Sequence, residues 1–433
     1  MVLRTPATFC CIALDKRARG IMLFLMRVEV INTGTELLLG NVTNTHLGFL
    51  AQGLFGLGLR VEKQVTVPDG VAIAEALEDA MSRADIILVT GGLGPTSDDV
   101  TREAAAEAFG LELIFHQEIL DGIAAKFRSR NFQMNELQRS QAMVPRGGVV
   151  FENHFGTAPG LVVRNDKTVA ILLPGPPSEL RPMWENQALP WLREHFAARL
   201  KPVHEVTLRL LGIGETAVQL AVEKELLALG PLEVGYCARP GEVDLRLIAP
   251  DEALLAKASA LARGALADYI YAEGAETLEQ ALVRTARAAG KTIATAESCT
   301  GGMVAGRITN VPGSSAVFRF GWVTYANEAK TAELGVPAEL LATHGAVSEE
   351  VARAMAEGAL RASGADVAVA VTGIAGPDGG TAEKPVGLVW FAVAQRGGKT
   401  EAVKRNLSPV RSTFRGMATQ IALDLVRRSC GRQ

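Results

Sequence analysis

Along the chain the apolar positions switch between a repeat of two and a repeat near 3.6, and the switches mark out the elements. Val28-Glu29-Val30-Ile31-Asn32 reads as a strand that runs into Thr33-Gly34-Thr35-Glu36, and Leu47, Leu50 and Leu54 then share one helical face between Thr45 and Leu57. Leu59 to Val67 alternates as a second strand. Asp69 is placed to cap a helix through Ile73, Leu77 and Met81, and Asp85-Ile86-Ile87-Leu88-Val89-Thr90 is a third, apolar strand. The order β-α-β-α-β predicts a parallel, doubly wound α/β sheet. Strand patterns at Leu161-Val162-Val163 and Val169 to Leu173 carry this domain to about residue 195.

The texture changes after Glu194. Val206 to Leu211, Leu232 to Cys237, Glu242 to Ile248 and Asp268 to Tyr271 read as strands, with helices over Glu215 to Leu229 and Glu252 to Ala265. This βαββαβ order predicts a small ferredoxin-like α+β module, a spacer or dimerisation element whose loops gather no acids, histidines or glycine cradle. A last α/β domain opens with a helix from Thr277 to Ala289 and a strand from Lys291 to Thr295. It continues through strands at Phe318 to Thr324, Val367 to Val371 and Leu388 to Ala394, a helix from Ser348 to Ala362, and a closing helix bearing Arg411 and Arg415. The expected division is an extension over 1–26 outside the fold, domains over 27–195 and 277–428, and the module over 203–273.

Composition narrows the classes. The 433 residues are 48% hydrophobic and 21% charged with a formal net charge of −3, which excludes a disordered chain and gives no basic stripe for direct nucleic-acid binding. No apolar run reaches the roughly 18 residues a membrane span needs, so a cytoplasmic protein is expected. Within residues 1–25 the charges at Asp15-Lys16-Arg17-Ala18-Arg19 sit between two apolar patches and no cleavage site follows. That makes a poor signal peptide, and the expectation is a translated upstream stretch, dispensable, with Met22 or Met26 as the functional start. The five cysteines, Cys10, Cys11, Cys237, Cys299 and Cys430, form neither a zinc spacing nor a disulfide framework.

Three strand ends of the last domain carry chemistry. In Ala296-Glu297-Ser298-Cys299-Thr300-Gly301-Gly302 a serine stands where a strand gives way to a helix. Its hydroxyl can face open space there, helix N-terminal amides can stabilise an anion, and Gly301 and Gly302 let a substrate approach the backbone. The plainer alternative is that Ser298 or Thr300 is only an N-cap. Cys299 could be taken for the nucleophile, yet neighbours in such a turn point different ways. In Tyr325-Ala326-Asn327-Glu328-Ala329-Lys330, Asn327 as N-cap would put Lys330 in a first helical turn, where a cation opposes the macrodipole unless it is neutral or anion-paired. The third end is Thr372-Gly373-Ile374-Ala375-Gly376-Pro377. A serine needs a base to lose its proton, a desolvated lysine serves that role in serine–lysine hydrolases, and the glycine loops with Arg411 and Arg415 point to a phosphate-bearing substrate.

In the first domain, Gly91-Gly92-Leu93-Gly94-Pro95-Thr96-Ser97-Asp98-Asp99 follows the third strand. A glycine loop at a strand's carboxyl end, entering a helix, suits phosphate, and Asp98 with Asp99 could hold Mg²⁺ partly through water. A capped turn with acids near a helix start is the alternative. The loops from Phe151 to Gly160, with His154, and from Pro174 to Leu180 could edge the same pocket.

In this order the motifs resemble the CinA family, described as competence- and damage-inducible proteins, from Met26 to Arg428. Residues 27–195 are similar to its molybdopterin-binding-like domain through Gly34-Thr35-Glu36-Leu37-Leu38-Leu39-Gly40, the Gly91 to Asp99 run and Leu173 to Glu179. Residues 277–428 resemble its nicotinamide-mononucleotide (NMN) deamidase domain through the Ser298, Tyr325 to Lys330 and Thr372 to Pro377 motifs. The resemblance implies hydrolysis of NMN to nicotinic acid mononucleotide and ammonia in pyridine-nucleotide salvage, with no cofactor. It makes Ser298 the nucleophile and Tyr325 and Lys330 proton-handling partners, places Thr372 in the same site, and gives Gly301, Gly302, Gly373, Gly376, Arg411 and Arg415 to the substrate. For the first domain it implies a divalent-metal-dependent ADP-ribose pyrophosphatase using Glu36, Gly91, Gly92, Gly94, Thr96, Asp98 and Asp99, with the last two on the metal. A homodimer is also implied. The sequence departs from the family pattern at Phe320, where glycine is usual, and at Pro409-Val410, where a glycine-polar pair is usual. The alternative is a non-catalytic ligand-binding protein serving regulation in competence or DNA damage, against which the intact Ser298, Tyr325 and Lys330 argue.

Overall fold

The computed structural model describes residues 26–431, in two compact units that divide between Val203 and His204. The expected extension therefore lies outside the described residues except for Met26, and there the expectation is corrected: the Met26 side chain is buried in the core at the foot of the first strand.

The first unit runs β1 (Arg27–Thr33), α1 (Thr35–Leu38), α2 (His46–Phe55), β2 (Arg60–Val67), α3 (Ala72–Met81), β3 (Ile86–Thr90), α4 (Thr101–Ala108), β4 (Leu113–Phe115), α5 (Gln117–Ser129), β5 (Met143–Pro145), β6 (Val149–Phe151), β7 (Gly160–Arg164), β8 (Val169–Leu173), α6 (Pro177–Met183) and α7 (Leu189–His195). Its main sheet has the order β2-β1-β3-β8-β7-β6. The first four strands are parallel, as the β-α-β-α-β order predicts for β1 to β3, and β7 and β6 form an edge antiparallel to their neighbours. The cause is local. Asn165 Oδ1 accepts the amides of Lys167 at 2.9 Å and Thr168 at 2.8 Å, closing a tight turn between β7 and β8 that leaves no room for a crossover helix. Alternation then sorts the strands' side chains. Val28, Val30, Leu88 and Ile171 pack with Leu50 and Leu54 of α2, while Ile31, Ile87, Val89 and Leu172 pack with Ile73 and Leu77 of α3. Asp69 does not cap α3; its carboxylate accepts from the Thr35 amide at 3.0 Å and the Thr35 hydroxyl at 3.1 Å, tying down the loop after β1.

The second unit opens with β9 (His204–Leu211), α8 (Glu215–Ala228), β10 (Glu233–Arg239), β11 (Glu242–Ala249), α9 (Glu252–Leu266) and β12 (Ile270–Glu273). These form an antiparallel sheet of order β10-β11-β9-β12, the ferredoxin-like arrangement, with Leu208, Leu210, Val243, Leu245 and Leu247 turned to the two helices. Then follow α10 (Leu278–Ala288), β13 (Ile293–Glu297), α11 (Met303–Thr309), β14 (Phe318–Val323), α12 (Asn327–Leu334), α13 (Ala338–His344), α14 (Glu349–Ser363), β15 (Val367–Gly373), β16 (Leu388–Gln395), β17 (Glu401–Asn406) and α15 (Arg411–Gly431). The sheet order is β14-β13-β15-β16-β17, parallel across its first three strands and antiparallel in the last two. One face is made of small residues, Ala294, Ala296, Ala368 and Ala370, which lets α12, α13 and α14 pack close; the other presents Ile293, Val367, Val369 and Val371 to α10, α11 and α15. Among the described residues no helix is long and apolar enough to cross a membrane.

Candidate active site

Strand register assembles the site of the second unit. Glu297 ends β13 level with Val323 of β14 and Val371 of β15, so the next residues on the three chains, Ser298, Thr324 and Thr372, stand side by side. Ser298 continues the alternation of Ala294 and Ala296 and faces the α12–α14 side. Cys299, one step on, is buried among Val304, Ile308 and Phe414 on the opposite side. Burial pushes its thiol pKa up to about 12, leaving almost no thiolate at neutral pH.

Lys330 reaches Ser298 from α12. The lysine is fully buried, and its Nζ lies 3.3 Å from Ser298 Oγ while donating to the carbonyls of Thr324 at 2.8 Å and Tyr325 at 3.2 Å. It forms no ion pair among the described residues, and burial lowers its pKa. This coordination suits a neutral amine: two N–H groups go to two oxygens that can only accept, and the lone pair is left for the one partner that can donate.

Several expectations about caps are corrected. Neither Ser298 nor Thr300 caps α11; the N-cap is Gly302, at a φ of 89° that only glycine adopts readily, with Gly301 at 60° before it. The cap of α12 is Ala326, so Asn327 is already helical and Lys330 closes the first turn. The first amides of α11 are not free for an anion. Glu297, itself buried, accepts the Val304 amide at 3.0 Å and the Ala305 amide at 2.8 Å, and the Thr300 amide is turned to the Cys299 thiol, whereas the Gly302 amide has no backbone acceptor among the described residues.

The remaining residues gather at the mouth in unequal roles. Tyr325 is 61% exposed and its phenol accepts from Arg411 Nη2 at 3.3 Å, so it is the Tyr325 carbonyl, not the hydroxyl, that meets Lys330. Arg411 Nη1 also donates to the Gly376 carbonyl at 2.9 Å. Arg415 donates to the carbonyls of Cys299 at 3.1 Å and Thr300 at 2.9 Å. Thr372 Oγ1 donates to the Ala346 carbonyl at 2.8 Å, and Gly373 passes between Leu388 and Phe414 where a Cβ would lie 2.9 Å from each. Sequence reasoning missed Glu297 and Thr324: the first looked like one more strand residue, and the second acts through its carbonyl, which no side-chain pattern encodes.

In the first unit the loops after β1, β3 and β8 enclose a cavity of about 570 Å³. Glu36, Gly91, Gly92, Gly94, Asp98 and Asp99 line it, joined by Asp69 and Glu179, and among the described residues no lysine or arginine lines it. Thr96 serves the turn. Its amide donates to Asp99 Oδ2 at 3.0 Å, its hydroxyl bonds the same oxygen, and that hydroxyl is the main cause of a lowered pKa at Asp98. Among the described residues no three His, Cys, Asp or Glu side chains converge as a metal cluster. The donor set still fits Mg²⁺, which takes few protein carboxylates and completes its shell with water and phosphate oxygens; Asp98 and Asp99 would hold it. His46, which sequence reasoning passed over, also lines the cavity, with Nδ1 3.3 Å from Thr90 Oγ1 and a pKa lowered by burial. His154 does not line it; it faces Glu152 at 3.5 Å on the surface.

Residues 275–430 match the family described as the CinA C-terminal domain, and residues 29–194 match the probable molybdopterin binding domain. A CinA-like protein of Akkermansia muciniphila is 50% identical over 92% of this chain and 96% of its own. A putative competence-damage inducible protein of Caldicellulosiruptor saccharolyticus is 43% identical over 93% of this chain and 99% of its own. Among solved structures, the competence/damage inducible protein CihA from Agrobacterium tumefaciens is 45% identical, covering 36% of this chain and 94% of its own with a TM-score of 0.35.

Proposed function

The chain belongs to the CinA family, and from that premise we propose that its second unit hydrolyses the amide of NMN to nicotinic acid mononucleotide and ammonia. The observation that carries this reading is the buried Lys330 amine, held by two carbonyls and with no ion pair among the described residues, 3.3 Å from the Ser298 hydroxyl. Lys330 takes the hydroxyl proton as Ser298 Oγ attacks the amide carbon. Returning that proton to the leaving nitrogen releases ammonia and leaves an ester on Ser298, which water then cleaves with Lys330 again as base. The loop amide of Gly302 is the available donor for the oxyanion, and Arg411 at the mouth suits the substrate phosphate. Ammonia release from NMN by the purified chain tests the reading; binding of NMN without turnover would favour a ligand-binding regulator instead.

The acid-lined cavity of the first unit supports a second activity, divalent-metal-dependent cleavage of ADP-ribose to AMP and ribose 5-phosphate. With no lysine or arginine among the described residues of its walls, a diphosphate there needs a counter-charge, which a bound divalent ion would supply. AMP formation from ADP-ribose with and without a divalent ion tests it, and turnover independent of metal would refute it.

A further inference from the structure

We propose that Arg415 is a positioning residue that holds the nucleophile's loop, not a ligand of the substrate phosphate; the inference rests on Ser298 being the nucleophile. In sequence Arg411 and Arg415 look equivalent, one turn apart on α15. The fold separates them. Arg411 is exposed at the mouth, whereas Arg415 is half-buried and its Nε and Nη2 donate to the successive carbonyls of Cys299 and Thr300. Its guanidinium presses on Gly301, where a Cβ would fall 3.0 Å from Nη2.

The two bonds fix two peptide planes. In a trans peptide the C=O and the following N–H point opposite ways, so drawing the Cys299 and Thr300 carbonyls toward α15 turns the amides of Thr300 and Gly301 away from it. The Gly301 amide thereby donates to the Ser298 carbonyl at 3.1 Å and closes the turn that presents the nucleophile. Glu297 fastens the exit of the same loop through the Val304 and Ala305 amides. Residues 298–302 are thus pinned from both sides, and Arg415 acts on catalysis through Ser298. Lysine cannot replace it, because a single nitrogen lacks the planar fork that spans two acceptors.

The test uses the full chain and two readouts: kcat and KM for NMN, and the rate at which Ser298 is phosphonylated by a fluorophosphonate that carries no nucleotide. Arg415→Met is expected to slow both kcat and labelling by about 100-fold while KM stays within about threefold, as for a lost positioning group. Arg415→Lys is expected to recover only part of the loss, and it carries the test if Arg415→Met does not fold by circular dichroism. Arg411→Met is expected to show its effect in KM. Arg415 variants that raise KM while labelling proceeds at the wild-type rate would overturn the proposal. A wild-type chain labelled at Ser298 but inert toward NMN would refute the substrate reading alone, since labelling rates still decide the role of Arg415. A wild-type chain not labelled at Ser298 would refute the nucleophile and this inference with it.

Discussion

At the residue scale the pairing of Ser298 with Lys330 makes sharp claims. Removing a nucleophile or its base in serine hydrolases costs on the order of 10⁴ or more in kcat, and residues acting as one unit are not additive. Ser298→Ala and Lys330→Ala are each expected to bring ammonia release from NMN near background, and the double variant to be no worse than either. Cys299→Ala is expected to stay substantially active, because the thiol is turned into the opposite core. The pH profile follows from the direction of the lysine shift. Burial favours the neutral amine, so the active base form is reached at lower pH than in free lysine, whose value is about 10.4. Turnover should therefore rise with pH to a plateau whose midpoint lies below that value, and Lys330→Ala should lose this limb.

At the scale of elements, the site depends on how closely α12 sits against α14. Gly358 of α14 has no side chain where it meets the last residue of α12: a Cβ there would fall 2.8 Å from the Leu334 carbonyl carbon and closer still to its oxygen. Gly358→Ala must push α12 outward and carry Lys330 with it. Overpacking of this kind costs about 1–3 kcal/mol, so a lower melting temperature is expected together with reduced amidase activity, although no site residue is altered. Unchanged turnover in a stably folded Gly358→Ala protein would show that α12 has slack. What the sequence disclosed divides along the same lines. Strands such as β3 and β15 were legible because Ile86 to Val89 and Val367 to Val371 are apolar and buried throughout, and the ferredoxin-like module because the apolar residues of β9 and β11 alternate. β17 escaped because Glu401 to Asn406 is largely exposed and carries no apolar stripe, and α13 because it spans only seven residues. The serine, the lysine and the glycine loop with its two aspartates could be read because side-chain chemistry marks them. The Thr324 and Tyr325 carbonyls, the Glu297 clamp and His46 could not, since what they do is set by register and by neighbours distant in sequence.

At the scale of the whole molecule, the two family matches fall in separate units, the first holding the acid-lined cavity and the second the Ser298–Lys330 pair. If the proposed activities belong one to each, they should be separable by chemistry. Chelation of divalent ions is expected to stop AMP formation from ADP-ribose and leave ammonia release from NMN intact. Asp99→Asn is expected to do the same without a chelator, with Ser298→Ala as the converse. The two product assays on one preparation check this, and loss of ammonia release on chelation would count against a metal-free serine mechanism.

The register of β13 has one more consequence. Because a strand's neighbours project to opposite faces, a serine and a thiol adjacent in sequence live in different environments, one open to solvent and one sealed in hydrocarbon. Oxidants and alkylating agents act on exposed thiolates, and this thiol is neither exposed nor ionised. Catalysis should therefore be insensitive to redox conditions, with full turnover surviving hydrogen peroxide or iodoacetamide, even though a cysteine is bonded directly to the proposed nucleophile.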